Sequence, residues 1–420
     1  MDDWKVVCVA DVAAPSPNSM ATGPFGSSIG SRFFRASGVP VIRGGNLSVD
    51  SAVRINDKNL AFLTRDKAAE FSRSTVLKGD LIFTSWGTIN QVGLIDGSSA
   101  YDKYVISNKQ MKLTPNPQIA EPEFLYYLFS GPAMQREILE GSIGSSIPGF
   151  NLTRLRSIEI LLPPVEEQRR IARALTDVER LEKRLCALID KKQAIKRGAM
   201  QQLLTGRTRL QGFGGVWEYR RVAEMGDVLA GKALNVSGAG VLRPYLRTKN
   251  VLDGRINLED VLWMPMTDAE FERFRIERED VLLNEGQSLE LVGRCSMYNG
   301  EFGAPCAMQN QLLRFRANPG TSPKFAAHLF RYCQQAGIFT VIATKTTSVA
   351  HLGSSRLGSL RLLWPADRRE QGAIAEVLSD MDTEITAYEV RLDKARALKQ
   401  GMMQQLLAGR ARLSVMESAA

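Results

Sequence analysis

The sequence predicts a mixed α/β (α+β) fold written twice: two pseudo-repeated mixed α/β domains, separated by two long helices that pack as a coiled coil. Three observations predict it. Residues Gln168 to Leu210 reappear without a gap as Gln371 to Leu413, an offset of 371 − 168 = 203 in a chain of 420. Nineteen of the 43 aligned positions are identical, ten of them in the last thirteen, where GAMQQLLTGRTRL faces GMMQQLLAGRARL. One repeat at half-length means a duplicated domain pair, not a solenoid. The repeated segments carry helical apolar spacing, and the segments between them repeat more faintly as short strands.

Taken in order, the first α/β domain spans 1–163. Runs such as PVIRGGNL (Pro40–Leu47), GDLIFTSWGTINQVG (Gly79–Gly93) and SSIPGFNLTRLRSIEILLP (Ser145–Pro163) are alternating or β-branched between Gly, Asn and Pro turns, which reads as strands. PEFLYYLF (Pro122–Phe129) reads as a short helix. The first long helix lies in 164–210. From Glu166 to about Leu204 it has no proline and one glycine, Gly198, and its seam is Ile171, Ala174, Val178, Leu181, Leu185, Leu188, Ile195 and Ala199, broken at Lys192. The second domain, 211–365, repeats the framework: PYLRTKNV (Pro244–Val251), EDVLLNEGQSLELVG (Glu279–Gly293), PKFAAHLF (Pro323–Phe330) and TSVAHLGSSRLGSLRLLWP (Thr347–Pro365). The second long helix, in 366–413, has the seam Ile374, Leu378, Met381, Ile385, Tyr388, Leu392, Ala395 and Met402, broken at Lys399, and a tail follows at 414–420. A 3-4-3-4 seam suits knobs-into-holes packing. About 38 helical residues at about 1.5 Å each span roughly 57 Å. A helix that long with one apolar seam needs a partner of equal length, and the other copy supplies it.

Composition sets the outer limits. A hydrophobic fraction of 44% is ample for packed cores, and 420 residues make two to four domains. A net charge of +9 and a pI near 9.3 favour a polyanionic partner. Cys8, Cys186, Cys295, Cys306 and Cys333 are scattered, odd in number and never form CxxC, which disfavours a disulfide framework or zinc site and fits a reducing cytoplasm. No apolar run approaches the roughly 20 residues that cross a bilayer. The expectation is a soluble cytoplasmic chain with no membrane partner.

Catalytic material is scarce. His328 and His351 are the only histidines, each read as structural or superficial, so neither a histidine base nor a multi-histidine metal site is expected. GDVLAGKA (Gly226–Ala233) has phosphate-loop spacing, but Ala233 stands where a magnesium-holding Ser or Thr is needed. No GxGxxG occurs, and the only Pro-Pro, Pro163-Pro164, belongs to LLPPVEEQ. Catalytic residues and metal ligands are both expected to be none.

MATGPFGSSIGSRFFRASGVPVIRGGNLS, KGDLIFTSWGTINQVGLI and SIPGFNLTRLRSIEILLPPVEEQRRIARAL together resemble the specificity subunit of type I restriction–modification systems. The resemblance covers nearly the whole chain. It is weakest in the second domain, where LWPADRREQ replaces LPPVEEQ. It implies that 1–163 and 211–365 are target recognition domains, each reading half of a bipartite site on double-stranded DNA. It implies an antiparallel helix pair that sets the spacer and docks modification (methyltransferase) subunits, with a restriction subunit joining them. It implies no cofactor in this chain: S-adenosylmethionine, ATP and magnesium belong to the partner subunits. The chain itself would be no enzyme.

Sequence is read at base edges by Arg, Lys, Asn, Gln, Asp and Glu, while phosphate contacts position. Polar, glycine-flanked loops that differ between the copies are the natural readers. In the first domain the candidates are Arg43, Asn46, Thr84, Ser85, Trp86, Thr88, Asn90, Gln91, Asn108, Lys109, Gln110, Ser145, Ser146 and Asn151. In the second they are Arg247, Lys249, Asn250, Asn284, Glu285, Gln287, Ser288, Gln309, Asn310, Gln311, Lys345, Thr346 and Thr347. Arg43 and Asn46 persist as Arg247 and Asn250, which suggests a structural or phosphate role. Trp86 and Trp263 read as stacking platforms or as core. Arg207 and Arg209, kept as Arg410 and Arg412, are expected to close each helix against the adjoining domain or a phosphate. Two other readings stay open: a helical scaffold bridging two protein-binding modules, and the recognition chain of a different, type II-like nuclease–methyltransferase.

Overall fold

Strands of three to six residues dominate both α/β regions, as their spacing of Gly, Asn and Pro requires. The computed structural model describes residues 3–141, 149–235, 237–345 and 349–413. The chain forms two units, Met1–Cys186 with Val390–Ala420, and Ala187–Glu389.

In the first unit Lys5–Cys8 pairs antiparallel with Glu159–Leu162, joining the first strand of the region to its last. Two four-stranded sheets lie between them in sequence. One is antiparallel, in the order Met20–Thr22, Gln110–Leu113, Leu81–Thr84, Val92–Leu94. The other runs Ala61–Leu63, Val39–Ile42, Lys103–Ile106, Thr75–Leu77, with its two central strands parallel. Helix Pro122–Ser130 begins on proline, whose missing N–H costs nothing at that position, and buries Phe124, Tyr126, Tyr127 and Phe129. The core takes Ile171, Ala172 and Leu175 from the first long helix and Met403, Leu406 and Leu407 from the second.

The second unit repeats this topology. Trp217–Arg221 pairs with Arg361–Pro365. One sheet is ordered Gly226–Ala230, Leu312–Ala317, Val281–Asn284, Cys295–Met297; the other Leu262–Met266, Val241–Leu246, Cys306–Met308, Arg275–Ile276, again with a parallel central pair. A small third sheet, Gly286–Gln287, Ala350–His351, Thr344–Lys345, is added. The phosphate-loop look-alike dissolves here. Gly226–Ala230 is a ladder strand leading to the strand Val241–Leu246, and Lys232 is paired with Glu270.

The long helices are Val165–Leu203 and Arg368–Leu406, 39 residues each. Within each unit the start of one packs antiparallel on the end of the other. Glu167 faces Arg412 and Glu179 faces Lys399 in the first unit; Glu370 faces Arg209 and Asp382 faces Lys196 in the second.

Along the second seam Ile374, Leu378, Ile385 and Leu392 are buried and Met381 half-buried. The first needs correction. Ile171 and Leu185 are buried and Val178 is half-buried, but Leu181 is 44% and Ile195 48% exposed. Beyond Ile171 and Ala172, the buried positions are Leu175, Glu179, Leu185, Ile189, Lys196, Met200 and Leu203. Two seam positions are charged. An apolar-only reading steps over Lys196 and lands on its neighbour Ile195. The break sits at Lys196, the counterpart of Lys399, and not at Lys192, which reaches Glu384 at 2.8 Å.

Candidate nucleic-acid interface

Seven of the first-domain candidates converge. Arg43, Thr84, Trp86, Thr88, Gln91, Asn108 and Lys109 line a cleft of about 630 Å³, together with Gly26, Gly30, Ser31, Phe34, Gly44, Gly45 and Ser107. Backbone geometry explains how distant residues meet. In the turn Gly44–Asn46, Asn46 Oδ1 accepts the Arg43 N–H at 3.0 Å while its Nδ2 donates to the Asn56 and Lys58 carbonyls. Ser85 N–H donates to the Lys109 carbonyl at 2.7 Å, which draws the two strand-end loops together. Gly23 is required because a Cβ there would fall 1.8 Å from the Ser107 oxygen. Among the described residues the lining holds two cations and no carboxylate, an arrangement suited to a polyanion and to acceptor-bearing base edges. The GPFGSS stretch supplies part of the wall. Its glycines could have flagged it, but it carries few of the side chains by which readers are chosen.

Other first-domain candidates are structural. Asn46 is 3% exposed with its amide consumed by its own loop, so no base edge reaches it. Ser85 and Gln110 are buried, the latter against the Ser107 hydroxyl. Asn151 caps helix Leu152–Ser157, accepting the Arg154 N–H at 2.8 Å. Asn90 is half-buried, and Ser145 and Ser146 lie outside the described residues.

In the second region Asn250 repeats the Asn46 lock, accepting the Arg247 N–H at 2.9 Å. Arg247 and Lys249 both grip Asp260, at 2.5 and 2.8 Å, which offsets the charge they were expected to offer phosphate. Asn284 is fully buried, donating to the Val251 carbonyl. Glu285 accepts from His351 Nδ1 at 3.0 Å. Ser288, Asn310, Gln311 and Lys345 are exposed and Gln287 and Gln309 half-buried; Thr346 and Thr347 lie outside the described residues. Trp86 and Trp263 are both more than half exposed, so neither is core.

The sequence reading missed a charged centre in each unit. Glu179 lies 3.1 Å from Arg54, 3.0 Å from Lys183 and 3.4 Å from Lys399, and accepts the Tyr127 hydroxyl at 2.9 Å. Arg54 also stacks on the Tyr126 ring at 4.2 Å. Burial pushes the Glu179 carboxyl up, but Arg54 and Lys399 outweigh it and hold it below the usual range. In the second unit Asp382 lies between Arg331, at 2.9 Å, and Lys196, and is likewise held down against burial. Each long-helix carboxylate thus meets a lysine of the other long helix and an arginine of its own α/β region. The 203-residue offset pairs Glu179 with Asp382 and Lys196 with Lys399, which was the available signal.

Three further contacts repeat. Arg209 grips Glu370 through two bonds of 2.6 and 2.7 Å, and Arg412 lies 3.8 Å from Glu167. Gly206 and Gly409 close the helices with positive φ, each against a tryptophan, Trp217 and Trp4. The buried Gln168 and Gln371 donate to the carbonyls of Pro163 and Pro365. His328 pairs with Ser379 at 3.0 Å where Tyr127 pairs with Thr176, and burial pushes its imidazole down to about 4. Among the described residues no cluster of three or more His, Cys, Asp or Glu could hold a metal, and no helix is long and apolar enough to cross a membrane.

Residues 1–191 match the family model for the type I restriction modification DNA specificity domain. A Methanocaldococcus jannaschii chain assigned as the MjaX type I restriction enzyme specificity subunit is 24% identical over 192 residues, covering 45% of each chain. The present chain therefore spans about half the length of that curated relative. The MjaVIII specificity subunit of the same organism is 23% identical over 343 residues, 76% of this chain and 78% of that one. Among solved structures, the S subunit of a type I restriction–modification system from M. genitalium superposes with a TM-score of 0.59 at 14% identity, over 96% of both chains, a likeness of fold. Residues 1–191 thus carry a type I restriction modification DNA specificity domain by their match to its family model, and the second unit repeats the topology of that span.

Proposed function

We propose that this chain is the DNA-reading subunit of a type I restriction–modification complex. Residues 1–163 and 211–365 act as target recognition domains, each reading one half of an asymmetric bipartite site on double-stranded DNA. The helix pair within 164–210 and 366–413 fixes the spacer and docks modification subunits. The chain does no chemistry itself. S-adenosylmethionine is bound by the modification subunits and ATP with magnesium by a restriction subunit, all in the cytoplasm. The observation that carries this reading is the carboxylate-free cleft of the first region, where Arg43, Asn108, Lys109 and Trp86 converge from separate loops.

The test is a methylation map. The chain is co-expressed with its modification subunit in a methylation-free host, and modified adenines are located by sequencing. A two-part motif with a fixed gap is expected. Modification that persists without this chain would remove it from the role, and a single uninterrupted motif would contradict the two-reader scheme.

A further inference from the structure

The two recognition regions share one backbone arrangement beside the cleft. In the first, Ser85 N–H donates to the Lys109 carbonyl at 2.7 Å and Phe150 N–H donates to Ser85 at 2.9 Å. In the second, Glu285 N–H donates to Gln311 at 2.8 Å and Leu352 N–H donates to Glu285 at 2.8 Å. The next residue pair is therefore equivalent as well: Trp86 bridges Gly149, and Gly286 pairs with His351. In each region a ring faces a glycine across the pair, but the ring sits on opposite strands. A Cβ on Gly286 would meet His351 Cε1 at 3.4 Å, an ordinary van der Waals contact, so the imidazole lies directly against this residue. Trp86 is 52% exposed on the cleft, and the His351 side chain is 39% exposed.

Chemistry then separates the two rings. Trp86 offers a stacking face. His351 holds its Nδ1 3.0 Å from a Glu285 oxygen. A carboxylate only accepts, so Nδ1 carries the proton, and in its neutral form the ring presents Nε2 as an acceptor. The Arg356 guanidinium is held away from the ring by the carbonyls of Leu352 and His351, at 3.0 and 2.9 Å, and the Lys345 backbone pairs with Ala350.

Resting on the proposed function, we infer that His351 is a specificity-determining residue of the second region, with Glu285 as the residue that orients it. It takes the place that Trp86 holds in the first region and accepts a hydrogen bond from an exocyclic amino group, N4 of cytosine or N6 of adenine. Second-region recognition at that base depends on the Glu285–His351 pair.

The test compares methylation maps of the full chain with its modification subunit for the wild type, His351→Ala, Glu285→Gln and Trp86→Ala. Thermal unfolding of each variant checks that it folds. His351→Ala should lower discrimination roughly tenfold or more at one position of the second half-site and leave the first unchanged. Glu285→Gln, which permits the other tautomer, should relax the same position. Trp86→Ala should affect the first half-site alone. An unchanged second half-site in both folded variants, or relaxation confined to the first half, would overturn the assignment. A wild type that methylates without a two-part motif would instead sink the specificity reading itself, whatever His351 does.

Discussion

Arg209 holds both oxygens of Glu370, whose side chain is only 1% exposed, so truncating the arginine strands a buried carboxylate. Arg209→Ala is expected to cost about 3 kcal/mol, seen as a lowered unfolding midpoint. Arg412→Ala, which breaks a looser 3.8 Å pair, should cost about 1 kcal/mol, and neither should change the sequence read. His328 supplies a pH test. Its folded-state value of about 4 lies below the ordinary 6.5, so the neutral ring is favoured by folding. That stability is complete above about 6.5 and is lost as pH falls toward 4, by roughly 3 kcal/mol in total. His328→Gln should remove this acid-side slope from a urea-unfolding series; an identical slope in the variant would exclude His328 as its source. At this scale the sequence was only partly legible. Residue type located the cleft-lining Arg43, Asn108 and Lys109 because readers must be polar and exposed. The same criterion picked out Asn46 and Asn250, because an asparagine that locks a turn looks in sequence like one that reads a base.

Between elements, the charged seam decides how the long helices pack. Removing Glu179 leaves Arg54 and Lys399, whose side chains are 5% and 8% exposed, as buried cations without their shared acid. Glu179→Leu is expected to destabilise by about 4 kcal/mol in chemical denaturation. Lys399→Met should cost about 1 kcal/mol, since Arg54, Lys183 and the Tyr127 hydroxyl still satisfy the carboxylate. Equal losses in the two variants would refute a centre organised on the acid. The helices themselves were legible, because 39 residues free of proline with one apolar face leave few alternatives. Their register in the first copy was not. Burial there follows a lysine and a glutamate whose partners lie far away in sequence, and no periodicity of apolar residues reports them. The strands were legible as a class from their turn residues. Which strands neighbour which was not, since sheets that interleave strands from across a region are invisible to local pattern.

At the scale of the whole chain, the proposed pair of readers makes separable predictions. Exchanging residues 1–160 for the corresponding segment of a relative should change one half-site in the methylation map and leave the other intact. Adding whole helical turns to both long helices should lengthen the gap while both half-sites persist, with tolerance for lengths that keep both grooves facing the protein. The division into units also has a consequence in time. Unit Ala187–Glu389 is continuous, whereas the first unit combines Met1–Cys186 with Val390–Ala420. A chain emerging from the ribosome makes residues 1–186 first, yet Met403, Leu406 and Leu407, which complete that core, and Lys399, which meets Glu179, follow more than 200 residues later. At about 5–20 residues per second, the first reader waits roughly 10–40 s with an open apolar face. Of the two units, the one begun first is the one finished second, and in that interval it is the more exposed to chaperones and proteases.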